Sequence, residues 1–167
     1  MRVGITRSSV VLLDCWRDSP TMAASKEDIS RLDLPESVID FITEKWGITK
    51  LHPPQYEAIP SIFNGRNVLL AIPTASGKSL VAYIAILRKL MVEDIGTKAI
   101  YIVPLKALAS EKFDDLKVMA ESLNLTVGLG IGDSSSEAKK IEECDILVCT
   151  SEKLDSIIRN NSQTMSR

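Results

Sequence analysis

Two kinds of apolar pattern alternate along the chain, and their order predicts its elements. In residues 35–46, Val38, Ile39, Ile42 and Trp46 recur at helical spacing and Gly47 supplies a stop, which predicts a helix. A second helix is predicted from Pro53-Pro54, since proline is tolerated in a first helical turn. Its apolar face is Ala58, Ile59, Ile62 and Phe63, and Asn64-Gly65 ends it. Residues 68–72 then form a continuous apolar run that reads as a buried strand. Leu80, Tyr83, Ile84, Leu87 and Leu90 follow as one face of a helix. Ala99–Val103 is a second apolar run, β-branched at Ile100, Ile102 and Val103, and Leu108, Lys112, Phe113, Leu116, Ala120 and Leu123 trace the next helix. Val127, Leu129 and Ile131 alternate with glycines as a third strand. Ser134-x-x-Glu137 is a capping-box signature for a short helix to about residue 143. Residues 146–149 read as a fourth strand and 152–159 as a last helix. Strands that are apolar throughout, alternating with helices, predict an α/β fold with a parallel sheet covered by helices on both faces. Residues 1–21 show no clear periodicity, and residues 1–28 are expected to be an N-terminal arm, leaving 29–167 for the domain.

Composition narrows the class without choosing a function. With 167 residues, 45% hydrophobic and 25% charged, the sequence suits one soluble domain with a core of ordinary size. A net charge of −2 gives no global attraction to nucleic acid, so any such contact must come from a local strip. The three cysteines, Cys15, Cys144 and Cys149, fit neither a paired framework nor a zinc spacing and read as thiols in a reducing compartment. The apolar stretch Val10-Val11-Leu12-Leu13 is far too short to span a membrane. A cytoplasmic location without membrane partners is the expectation.

Between the first long strand and its helix lies Ile72-Pro73-Thr74-Ala75-Ser76-Gly77-Lys78-Ser79. A strand, a tight turn ending in Gly-Lys-Ser and a helix make a phosphate-binding loop. Its backbone N–H groups and the positive end of the helix face nucleotide phosphates. Lys78 is placed to reach the β- and γ-phosphates of ATP and the Ser79 hydroxyl to ligate Mg²⁺. The pattern departs from G-x-x-x-x-G-K-[ST] at its first position, Ile72, and Ala75 stands where a second glycine is often found. Read alone, the same residues also describe a glycine turn that happens to carry Lys-Ser.

Those departures are the usual wording of motif I in superfamily 2 helicases of the Ski2-like group, which Pro73-Thr74-Ala75-Ser76-Gly77-Lys78-Ser79 resembles. Upstream, Leu51-His52-Pro53-Pro54-Gln55 resembles the Q motif, whose glutamine reads adenine. An amide can donate to N7 and accept from N6. The other reading of Gln55 is an exposed first-turn residue. Pro104-Leu105-Lys106-Ala107-Leu108-Ala109-Ser110-Glu111-Lys112 resembles motif Ia, which grips the phosphates of single-stranded nucleic acid through a helix start and a lysine. Gly132-Asp133 resembles a Gly-Asp element of the group, with Ile131 where threonine is usual. Residues 145–153, Asp-Ile-Leu-Val-Cys-Thr-Ser-Glu-Lys, resemble motif Ib. There Thr150 or Ser151 can cap a helix, contact phosphate, or do both. The resemblance spans about residues 29–162, and its wording is closest to the archaeal DNA repair helicases of the Hjm type.

The resemblance implies the N-terminal part of a RecA-like ATP-binding domain of a 3′–5′ DNA helicase. Its cofactors would be ATP and Mg²⁺, and its partners single-stranded or forked DNA and the remainder of the helicase. The group's motif II, Asp-Glu-x-His, is expected after motif Ib, and no Asp-Glu dipeptide occurs in the sequence. Its aspartate helps hold Mg²⁺ and its glutamate positions the attacking water. The chain is therefore expected to bind ATP without turning it over. A stand-alone nucleotide- or nucleic-acid-binding module and a Ski2-like RNA helicase fragment remain alternatives. An unrelated phosphate-loop kinase or transporter ATPase is a third, against which Gln55 and the motif Ia wording count.

Overall fold

The computed structural model describes residues 10–14, 27–73, 76–132 and 143–165. They belong to two compact units that divide after Val92, each with its own sheet and helices. The fold is α/β, as the alternation predicts. The expected helix at 134–143 falls almost wholly outside the described residues.

In the first unit, β1 (Val10–Asp14) pairs in parallel with β4 (Asn67–Ala71), in register from Val10 opposite Asn67 to Asp14 opposite Ala71. Two short strands, β2 (Glu27–Asp28) and β3 (Lys50–Leu51), pair antiparallel. Both β1 and β2 lie in the stretch read as an arm, where runs of four apolar residues or fewer carry too little periodicity to register. The Asp28 carboxylate accepts the Ser30 N–H at 2.9 Å, a bond that holds its carboxyl below the usual value. Helix α1 (Glu36–Asp40) continues into a wider π-type turn, Phe41–Lys45, and buries Val38, Phe41 and Ile42. Helix α2 (Pro53–Phe63) packs against α3 (Lys78–Arg88) and against β4. Ile59, Ile84 and Leu87 are buried in this core. Arg88 stacks over the Phe63 ring at 4.7 Å and pairs with Asp33.

The expectation that residues 68–72 are buried throughout needs correction. Along β4, half-buried and exposed residues alternate, and Leu69 is 53% exposed. Val68 and Leu70 share one face of the strand, while Asn67, Leu69 and Ala71 share the other and stay open.

In the second unit, β5 (Ala99–Val103), β6 (Val127–Gly130) and β7 (Ile146–Thr150) form a parallel sheet in the order β5-β7-β6. Strand β7 is central and every residue of it is buried. Helix α4 (Lys106–Ser122) packs against all three strands, burying Ala109, Leu116, Met119 and Ala120. On the other face, Leu147 and Cys149 meet Leu154 and Ile157 of α5 (Ser151–Met165). Helices thus cover both faces of β7. Edge strand β5 alternates instead: Ile100 and Ile102, level with Leu147 and Cys149, are 50% and 51% exposed. Strand β6 inverts its expected pattern, with Gly128 and Gly130 buried and Val127 and Leu129 only half-buried. A Cβ on Gly130 would lie 3.1 Å from Cys149 Cβ and 3.4 Å from Lys153 Cγ, so the missing side chain is what lets α5 approach. Ile131 lies beyond the strand end.

Burial separates α4 into faces with different energetic weight. Leu116→Ala should lower the unfolding free energy by about 2–5 kcal/mol. Val118→Ala, at a position 58% exposed, should change it by less than about 0.5 kcal/mol. Urea unfolding of both variants checks the contrast.

Candidate functional site

The phosphate-loop residues take up the strand–turn–helix arrangement that their chemistry requires. Strand β4 ends at Ala71, Ile72 is buried, Pro73 is exposed, and α3 begins at Lys78. Thr74 and Ala75 lie outside the described residues. Gly77 turns the chain into the helix at φ +72°, a left-handed conformation natural to glycine. Ser76 N–H donates to the Pro73 carbonyl at 3.4 Å and Leu80 N–H to the Gly77 carbonyl at 3.2 Å. The Lys78 ammonium folds back across the turn and donates to the carbonyls of Ile72 at 2.7 Å and Pro73 at 2.9 Å. Ser79 follows, half-buried in the first turn of α3.

Gln55 is not the exposed first-turn residue that position alone allows; it is 3% exposed. Its Oε1 accepts the His52 N–H at 2.8 Å, closing the first turn of α2. Its Nε2 donates to the Gly77 carbonyl at 3.0 Å and more weakly to the Ser76 carbonyl at 3.4 Å. One amide therefore binds the start of α2 to the phosphate loop. A Cβ on Gly77 would fall on Gln55 Nε2, so this contact needs glycine a second time, besides the positive φ.

In the second unit the parallel strands put their carboxyl ends along one edge of the sheet. Pro104, Leu105 and Lys106 follow β5; Gly132 follows β6; Thr150 closes β7 and Ser151 opens α5. Asp133 lies outside the described residues. Leu105 and Lys106 are exposed at the start of α4. Thr150 is 3% exposed, and its hydroxyl accepts the Lys153 N–H at 3.4 Å, so it caps α5. Ser151 is exposed. Lys153 Nζ donates to the Gly132 carbonyl, tying the end of β6 to α5. Glu152 sits at the same edge. Its own backbone N–H, then the Thr150 and Ser151 hydroxyls and the Lys106 charge, lower its carboxyl below the usual range, keeping it ionised. Among the described residues the edge thus carries two helix N-termini, with Lys106 and Lys153 alongside the Glu152 carboxylate.

Elsewhere, burial pushes the Cys144 and Cys149 thiols up, which makes them poor nucleophiles. Among the described residues no group of three or more His, Cys, Asp or Glu can hold a metal. Nor is any helix among them long and apolar enough to cross a membrane.

Sequence reasoning marked Gln55, Lys78 and Ser79 but missed Gln55 as a brace of the loop. A glutamine at the third helical position is a capping signal, yet His52 at the cap is not the usual serine or threonine. It also missed Lys153, whose tie to Gly132 spans two elements remote in sequence.

Residues 52–167 match the DEAD/DEAH box helicase family. The chain is 47% identical over 143 residues to the ATP-dependent DNA helicase Hel308 of Methanocella arvoryzae, a match covering 83% of this chain and 19% of that protein. The Hel308 of Pyrococcus abyssi is 47% identical over 135 residues, with 80% and 18% covered. That of Pyrococcus horikoshii is 49% identical over 122 residues, with 72% and 17% covered. The chain therefore spans about a fifth of the length of these relatives. The helicase resemblance read from motif wording is borne out by these matches, and on the match over residues 52–167 this chain belongs to the DEAD/DEAH box helicase family.

Proposed function

We propose that the chain is the ATP-binding and single-strand-contacting part of an ATP-dependent 3′–5′ DNA helicase, and that by itself it binds ATP without hydrolysing it. The observation that carries this reading is the braced turn. Gly77 and Gln55 hold the loop at the start of α3, with Lys78 and Ser79 in the first helical turn. There the helix N-terminus and the Lys78 ammonium favour the β- and γ-phosphates. DNA as the polymer is favoured by the relatives, each an ATP-dependent DNA helicase.

Mg²⁺ fits this loop through one protein ligand, the half-buried Ser79 hydroxyl, with phosphate oxygens and water supplying others. Bound with ATP, it would supply neutralisation of phosphate charge. Gln55 keeps one Oε1 lone pair beyond the His52 bond, and that acceptor suits the adenine N6 amino group but opposes the guanine O6. Its two N–H groups are engaged with the Gly77 and Ser76 carbonyls, so bracing the loop is its first role and base selection its second. At the edge of the second sheet, Lys106, Ser151 and the starts of α4 and α5 would take DNA phosphates. Thr150 would act through the cap, with Pro104 and Leu105 shaping the approach and Gly132 at the same edge, followed in the sequence by Asp133. Ionised Glu152 would keep phosphates toward the Lys106 side.

Fluorescent-nucleotide titration tests the loop. Lys78→Ala should weaken ATP at least tenfold, a loss of about 1.4 kcal/mol. Wild-type-like binding by that variant would remove the phosphate-loop assignment. Gln55→Ala should weaken ATP and also erase any preference for ATP over GTP; a retained preference would leave only the bracing role. Steady-state ATPase assays of the chain should show no Lys78-dependent turnover, since the sequence holds no Asp-Glu pair. In single-strand binding, Lys106→Ala should weaken affinity for all sequences and reduce the salt slope by about one.

A further inference from the structure

One side chain joins the first turn of α5 to the strand beside β7. Lys153 is half-buried, whereas Lys106 at the same edge is exposed. Its backbone N–H donates to the Thr150 hydroxyl at 3.4 Å, which anchors it to the end of β7. Its stem passes over β6, so close that a Cβ on Gly130 would lie 3.4 Å from Cγ. Its ammonium then donates to the Gly132 carbonyl, just past the end of β6. Backbone, stem and ammonium of one residue thus hold α5 to two strands. Ser151, exposed in the same helical turn and read above as a phosphate contact, is pinned with it. A carbonyl oxygen at such an edge is a negative pole that repels phosphate, and an ammonium bound to it offsets that repulsion.

We propose that Lys153 is a positioning residue for single-strand binding: it sets the first turn of α5, and Ser151 with it, against the end of β6, and takes no phosphate itself. The inference rests on the reading of this edge as the strand-contacting surface, and adds a residue that acts through Ser151 and the helix start. A lysine has three N–H donors, so the competing role is direct phosphate contact alongside the carbonyl bond. The two roles differ in salt dependence. A phosphate contact releases a counterion and adds to the salt slope, whereas a lysine bonded to a backbone carbonyl adds to affinity alone. Burial favours the second role. With its stem packed on the sheet and its head bonded, Lys153 is less free than exposed Lys106 to meet a passing chain.

The test is titration of a fluorescent single-stranded DNA oligonucleotide with the full chain at several salt concentrations. The proteins are wild type, Lys153→Met, Lys153→Arg, Gly130→Ala and Lys106→Ala, with far-UV circular dichroism of each. Lys153→Met keeps the stem and removes the ammonium. It should weaken binding at least about fivefold, the scale of one lost hydrogen bond, while keeping the salt slope of wild type. Lys153→Arg, which keeps a donor for the carbonyl, should recover most of the affinity. Gly130→Ala moves the stem without altering any charge and should weaken binding with the slope again unchanged; if Lys153→Met does not fold, this variant carries the test. A salt slope lowered by about one in Lys153→Met would make Lys153 a phosphate contact and overturn the assignment. So would wild-type affinity in a folded Lys153→Met or Gly130→Ala. A lowered slope in Lys106→Ala with no effect at Lys153 would sink this inference alone. Salt-independent binding by wild type would remove the strand-contacting reading and the inference with it.

Discussion

A single buried amide carries the organisation of the first unit. Gln55 accepts from the His52 N–H on one side and donates to the Gly77 and Ser76 carbonyls on the other. The turn it braces is the one that aims α3 and Lys78, so the start of α2 and the start of α3 are set by the same side chain. Leaving a buried amide unpaired would cost about 1–3 kcal/mol, and here no such loss arises, since its donor and acceptor ends are both used. The glycine at position 77 is fixed twice over, by backbone conformation and by the space the amide occupies. The loop's shape therefore depends on packing from a helix that precedes it in the chain, not on its own residues alone.

The second unit solves a different problem, which is to bring short segments after three strands to one edge. Parallel pairing does this by itself, because all three strands end on the same side. Strand β7 is clamped between strands and helices, while β5 leaves Ile100 and Ile102 half open. At the carboxyl edge of this sheet, Thr150 spends its hydroxyl on the helix cap while Ser151 stays exposed. Division of labour between these two neighbours follows from which way the strand's last residue faces.

Much of this was legible in the sequence. Runs such as Ala99–Val103 and faces such as Leu80, Tyr83, Ile84 and Leu87 announce their elements, and the prolines at 53 and 54 mark the start of α2. Burial within strands was less legible. A continuous apolar run signals a strand buried on both faces, yet Leu69 and Ile100 lie on faces their own units leave open. β6 misled in the opposite sense, because the residues that pack inward are glycines and carry no hydrophobic signal. At the site, Lys78 and Ser79 could be picked out from the Gly-Lys-Ser wording between strand and helix together with the family resemblance. The double use of Gln55 and the tie from Lys153 to Gly132 could not, since both pair residues far apart in sequence.

The empty positions on β6 also determine how the edge can vary. With 3.1 Å between a notional Cβ at Gly130 and the Cβ of Cys149, the sheet and α5 are spaced by the absence of atoms. Lys153 reaches the Gly132 carbonyl from that same helix, and Ser151 opens it. A methyl group at position 130 would act as a shim, lifting the start of α5 without altering any charge. The height of the edge is thus adjustable as well as its charge, through a residue that has no side chain to offer.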